Sequence, residues 1–189
     1  MNPTPVKTVD YDFNNRVFQM NFYDLNKSTP ANAEKLIDFY NLWEDLRHDQ
    51  KIPNRNAITF ESLKGWHGNI RLVGLGENIS ASKRNIILGE TYKKHWGTET
   101  MYSQFIKNNK DDMVHKNKYI ECIECFMNYH YSISIGNTPI DGSNYNQVAW
   151  IDLPLSNGEN NEISYLITAL VPYDLWTFLF LTTPLKSFK

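Results

Sequence analysis

The sequence predicts an α+β domain: a five-stranded antiparallel sheet with short helices on one face, plus an N-terminal helix. Three observations lead there. Residues 70–75 and 86–88 are short apolar runs on either side of a polar connector containing Asn and Ser, which is the pattern of an antiparallel hairpin. The middle of the chain carries helical spacing. From Tyr129 onward the period changes to two, in three segments separated by turn signals.

Composition places the chain among globular proteins. Its 189 residues suffice to bury a core, 41% of them are hydrophobic, and 11 Tyr, 10 Phe and 5 Trp supply large apolar surfaces. The formal charge of −2 is made of interspersed signs with no basic stripe, which disfavours nucleic acid as a partner. Two cysteines, Cys122 and Cys125, are too few for a disulfide scaffold and fit a reducing compartment. The polar start has no apolar signal core, and residues 175–181, the longest apolar stretch, fall short of the ~20 needed to span a bilayer. A cytoplasmic protein with no membrane partner is expected.

The elements follow in order. Residues 1–29 read as an N-terminal extension, in which 16–23 alternate enough to be an added strand or a loosely packed arm. Ser28-Thr29-Pro30 is a helix start, a hydroxyl cap followed by Pro in the first turn. Leu36, Ile37, Tyr40, Leu42, Trp43 and Leu46 then give an amphipathic helix over about 30–48. Phe60, Leu63 and Trp66, capped by Thr59, predict a short helix over 56–66. After the hairpin, 91–96 are helix-permissive, and Gly97-Thr98-Glu99-Thr100 restarts a helix through Met101, Phe105 and Ile106. A longer helix over 111–127 carries Met113, Tyr119, Ile120, Ile123, Phe126 and Met127. Three strands close the domain at 129–135, 147–155 and 163–171. The domain thus covers 30–172, and 173–189 form a C-terminal apolar tail that must be buried by itself or by a partner.

Catalytic signatures are missing. There is no Gly-x-Ser-x-Gly elbow, no His-Glu-x-x-His and no phosphate-binding loop; Gly74-Leu75-Gly76 is a turn. Cys122-Ile123-Glu124-Cys125 has redox-pair spacing but lies deep in a predicted helix, where no helix N-terminus lowers a thiol pKa. A zinc site needs further close ligands. Both thiols read as small buried hydrophobes.

Several short motifs, in this order and spacing, resemble an alphaproteobacterial PAS-like family of single-domain sensor and regulatory proteins. They are Trp43-Glu44-Asp45-Leu46-Arg47, Ile52-Pro53-Asn54-Arg55, the strand end Leu88-Gly89-Glu90, Trp96-Gly97, and Leu153-Pro154-Leu155-Ser156-Asn157-Gly158. The resemblance covers roughly 35–172. Ile86-Ile87 stand where the family has an arginine–leucine pair, and Glu90 where it has a hydroxyl residue.

The resemblance implies a sensory or regulatory module that binds a small molecule or a partner protein and signals by protein–protein contact, without catalytic or DNA-binding output. It also implies a homodimer formed through the N-terminal helix, with Leu36, Tyr40 and Trp43 as interface candidates. Leu88, Trp96, Tyr102, Phe105, Ile120, Phe126, Ile133, Ile151 and Ala169 are the candidates for lining a ligand cavity between helices and sheet. If haem were the ligand, His95, His115 and His130 are the side chains that could supply an axial nitrogen, and a hydrogen-bonded histidine accounts for each more simply. The cysteine-bearing motif of flavin photosensors is absent from the chain. Two other readings stay open: a ligand-free interaction domain, and a small enzyme on an α+β scaffold.

Overall fold

The computed structural model describes residues 4–13, 16–25, 34–75, 85–98, 100, 103, 113–137, 147–158 and 161–173. Strands β1 (Lys7–Phe13) and β2 (Arg16–Asp24) precede helix α1 (Glu34–Arg47). Strands β3 (Ile70–Gly74) and β4 (Asn85–Leu88) lead into α2 (Glu90–Trp96) and α3 (Met113–Met127). Strands β5 (His130–Asn137), β6 (Gln147–Ser156) and β7 (Ile163–Tyr173) complete a single antiparallel sheet in the order β1-β2-β5-β6-β7-β3-β4.

The expected five-stranded sheet with helices on one face is therefore corrected in two respects. The sheet has seven strands, because residues 7–24 fold as a hairpin and pair with β5 over Phe18↔Gly136 to Asp24↔His130. The N-terminal extension is part of the sheet. Among the described side chains of β1, Val9 and Tyr11 are the inward apolar ones, and they alternate with Thr8, Asp10 and Asp12 in a lead whose composition reads as polar. Second, both faces of the sheet are covered, by α1 on one side and by α2 and α3 on the other.

Strand alternation sorts the core into two layers. Ala149, Ile151, Leu153 and Leu155 of β6 pack with Ile167, Ala169 and Val171 of β7 and with Leu36, Phe39, Tyr40 and Trp43 of α1. Val148 and Trp150 face the opposite way, with Leu166, Leu170, Phe18, Met20 and Phe22, against Tyr92 and Trp96 of α2 and Tyr119, Cys122 and Phe126 of α3. Each fully buried Leu, Ile or Phe contributes about 1.5–3 kcal/mol, so both layers matter to stability. The outer hairpin has one dry and one wet face: Thr8, Asp10 and Asp12 are exposed, and Thr8 and Asp10 meet Asn21 and Gln19 through Thr8 Oγ1–Asn21 Oδ1 (2.8 Å) and Gln19 Nε2–Asp10 Oδ1 (2.9 Å).

Two prolines sit in long central strands at places where the strand has run past a neighbour. β5 pairs with β6 only as far as Ser132↔Asp152, and Pro154 lies beyond it; β3 pairs with β7 only as far as Ile70↔Ala169, and Pro172 lies beyond that. A residue with no N–H is tolerated where no ladder bond is due.

Helix bounds shift as well. The predicted 56–66 helix is a 3-10 turn (Arg55–Ala57) followed by tight turns, in which Thr59 and Ser62 satisfy each other's backbone and side-chain groups and Gly65 takes a positive φ of 89°. Leu63 alone of its predicted face is fully buried; Phe60 is 73% exposed. In α3 the buried stripe is Tyr119, Cys122 and Phe126, whereas Met113 and Met127 are exposed. The predicted Ser28-Thr29-Pro30 cap, the helix through Met101, Phe105 and Ile106, and the 174–189 part of the apolar tail lie outside the described residues. No helix among the described residues is long and apolar enough to cross a membrane.

Candidate functional site

At the centre of the face covered by α2 and α3, four polar side chains stand in one row across four strands. Ser132 of β5 is opposite Asp152 of β6, Asp152 is opposite Thr168 of β7, and Thr168 is opposite Arg71 of β3. Period-two alternation forces all four onto the same face, and both outer neighbours in the row, Phe22 and Leu88, are apolar. Ser132, Asp152 and Thr168 have no exposed surface, and Arg71 is 4% exposed.

The row is connected. Ser132 Oγ donates to Asp152 Oδ2 at 2.9 Å and Thr168 Oγ1 donates to Asp152 Oδ1 at 2.6 Å. Arg71 Nη2 donates to Thr168 Oγ1 at 3.3 Å and lies 3.7 Å from Asp152 Oδ1, while its guanidinium stands 5.1 Å from the Tyr92 ring of α2. Burial pushes the Asp152 carboxyl above the ordinary carboxylate range, against the Arg71 charge and the two hydroxyls, which favour its ionised form. One step along β5 on the same face, the Ser134 hydroxyl is buried and has no hydrogen-bond partner among the described residues. It sits between Met20 of β2 and Trp150 of β6.

Aromatic rings flank this row on one side, further along the strands. Trp96 and Trp150 are 4.7 Å apart, Phe18 meets both edge-on, and Tyr11 stacks on Phe18 at 4.6 Å. Cys122 of α3 approaches Met20 Sδ at 4.0 Å, and burial raises its thiol pKa. Cys125 is half-buried with its thiol also raised, chiefly by burial, so neither cysteine is poised as a thiolate.

The cavity candidates divide between the two layers. Trp96 and Phe126 are buried on the α2/α3 side, with Leu88 half-buried against them; Ile120 is half-buried on α3. Ile133, Ile151 and Ala169 belong to the α1 side. Tyr102 and Phe105 lie outside the described residues. The split has a simple cause: when both faces of a strand are buried, every position looks like a lining position. Leu36, Tyr40 and Trp43, the interface candidates, are buried in their own chain against β6 and β7.

The three histidines are on separate elements. His95 is 4% exposed on α2, with its pKa lowered by burial and by Lys94. His115 meets Tyr11 edge-on at 5.6 Å, and His130 Nδ1 lies 3.0 Å from the Cys125 carbonyl. Among the described residues no group of three or more His, Cys, Asp or Glu side chains is arranged to hold a metal ion.

Sequence reasoning alone does not single out Ser132, Asp152, Thr168 and Arg71. A signal is nonetheless present: Asp152 interrupts Val148-Ala149-Trp150-Ile151 and Leu153, and Arg71 interrupts Ile70 and Leu72-Val73. A charge in mid-strand between apolar neighbours is either solvent-facing or part of a buried pair.

At a second place the sequence motifs converge. Trp43 Nε1 donates to the Pro154 carbonyl at 3.0 Å, the Ser156 amide donates to the Pro53 carbonyl at 3.0 Å, and Asn54 bridges to Ser156. Gly158, at φ 99°, lets the Asn54 side chain approach. Comparison with protein-family models, curated proteins and solved structures found no match.

Proposed function

We propose that this chain is a sensory or regulatory module that works by binding: it takes up a small ligand or a partner protein and passes the signal on through protein–protein contact, as a homodimer in the cytoplasm. The observation that carries this reading is the buried row Arg71–Thr168–Asp152–Ser132 with, beside it, a Ser134 hydroxyl that has no hydrogen-bond partner among the described residues. A sheet face buried for stability alone is better served by apolar side chains, because desolvating a charged pair offsets much of its attraction. An orphan hydroxyl next to a charged row is the kind of group that a polar ligand satisfies. The resemblance to the PAS-like family is supported by the meeting of three of its motifs at the Trp43–Pro154 corner. The cytoplasmic assignment rests on two free cysteines.

Native mass spectrometry of gently purified protein tests the reading. The expected result is a mass above that of the bare chain, restored to the bare mass in an Arg71→Gln variant that still folds. A bare mass in the wild type, with no thermal shift over a metabolite panel, overturns ligand binding. The ligand-free interaction domain is then favoured, and one observation already speaks for it: hydroxyls of the chain itself meet both Asp152 oxygens.

A further inference from the structure

We propose that the outer face of α3 is the contact surface of the homodimer, with two copies packing α3 against α3 antiparallel about a two-fold axis at Ile120. This rests on the homodimer of the proposed function and gives it a face. Helix α1 does not offer one, because Leu36, Tyr40 and Trp43 are buried against the chain's own sheet.

Helix α3 meets that sheet through Tyr119, Cys122 and Phe126. At about 100° per residue, the opposite side of the helix centres on Asn117 and Glu124, and Met113, Ile120 and Met127 run in a line beside them. Met113 is 62% exposed and Met127 45%, while Ile120 is half-buried. Their spacing of seven keeps the three on one stripe for about 21 Å, the full length of the helix. An outward apolar residue every two turns is what a helix presents to another helix; a face meant for water alone is polar throughout. Methionine, unbranched and flexible, adapts well to such a contact.

Charge names the occupant and its direction. With the two-fold axis at Ile120, each Met113 comes level with Met127 of the second copy, and Lys116 comes level with Glu124 of the second copy, twice by symmetry. Both charged residues are exposed, and among the described residues neither has an ion-pair partner in its own chain. A parallel pair would instead set Lys116 against Lys116 and Glu124 against Glu124, which opposes association. The stripe is therefore self-complementary in one direction only. A single pair of 15-residue helices is at the small end of specific interfaces, so the dimer is expected to be reversible rather than obligate.

The test is sedimentation equilibrium of the full chain from micromolar to millimolar concentration. The wild type is expected to self-associate. Lys116→Glu and Glu124→Lys each turn both pairs into like charges, and each should weaken association about tenfold. An equimolar mixture of the two variants should regain it, because one chain then carries only acidic and the other only basic groups at these positions. A wild-type chain that stays monomeric throughout overturns the homodimer of the proposed function along with this face. A dimer that neither single variant weakens leaves that reading standing and overturns the face alone, as does a mixture no tighter than its components. If a single variant melts early, the doubly exchanged Lys116→Glu/Glu124→Lys chain decides: it should associate as the wild type does, and weaker association overturns the proposal.

Discussion

Thr168 Oγ1 donates to Asp152 Oδ1 at 2.6 Å, and Ser132 completes the arrangement on the other carboxylate oxygen, so a carboxyl group with no solvent contact has both acceptors filled by neighbouring strands. Three strands are thereby held by one side chain. Replacing Thr168 with Val keeps the shape and removes the shortest hydrogen bond to Oδ1, from which the Arg71 guanidinium stands 3.7 Å away. The expected cost is about 1–3 kcal/mol in urea unfolding, the range for a buried acceptor that loses its partner. A change within error would show that Arg71 moves in to replace the hydroxyl.

The pH dependence of stability follows from the same residue. Burial raises the Asp152 carboxyl above its unfolded value, with Arg71 and the hydroxyls countering it. The folded state then binds the proton more tightly than the unfolded chain. Asp152 therefore favours folding most at pH below its unfolded value, and this contribution is lost as pH rises through the folded value. An asparagine side chain in its place cannot titrate. The unfolding free energy of wild type relative to the Asp152→Asn variant should fall as pH rises from about 4, the ordinary carboxylate range, towards neutrality, measured by denaturant melts at each pH. A difference that rises with pH would mean that Arg71 outweighs burial.

How much of this was legible in the sequence can be argued from particular residues. Strands β3, β5, β6 and β7 were legible because Tyr131, Ile133 and Ile135, or Ile151, Leu153 and Leu155, repeat at two and are closed by Gly-, Asn- or Pro-containing turns. β1 was not, since Val9 and Tyr11 need α3 and β2 to make them a face, and those contacts are distant in sequence. The polar row was hidden for a related reason. Ser132, Asp152, Thr168 and Arg71 are each unremarkable in their own strand, and only the register, set by pairing across the whole sheet, makes them one group. The assignment of lining residues to one cavity failed because Ile151 and Trp150 are equally buried neighbours that face opposite ways.

Gly136 governs how the N-terminal hairpin docks. A Cβ at this position would land on Phe18 Cβ and within 2.5 Å of the Val17 carbonyl oxygen, and the latter is backbone that cannot swing aside. Gly136→Ala should destabilise the protein by about 1–3 kcal/mol, the cost of overpacking. The damage should be local: hydrogen exchange should quicken in β1 and β2 and stay slow in the β6–β7 pair. Uniform quickening would show that the hairpin and the central strands unfold as one unit.

Trp43 tests the corner at which α1 meets β6. Its indole is 1% exposed, packs in the α1 layer, and donates Nε1–H to the carbonyl of Pro154. That carbonyl lies on the stretch of β6 beyond its pairing with β5, so the indole supplies a bond on a strand that has run past that neighbour. Trp43→Phe keeps an aromatic body but leaves the acceptor without this donor and a small void beside it. Trp43→Ala removes the body too. The expected losses are about 1–3 kcal/mol for Phe and about 3–5 kcal/mol for Ala, read as shifts of the urea midpoint at constant slope. A Phe variant as stable as wild type would reduce Trp43 to an apolar filler, and the convergence of motifs at this corner would then reflect packing alone.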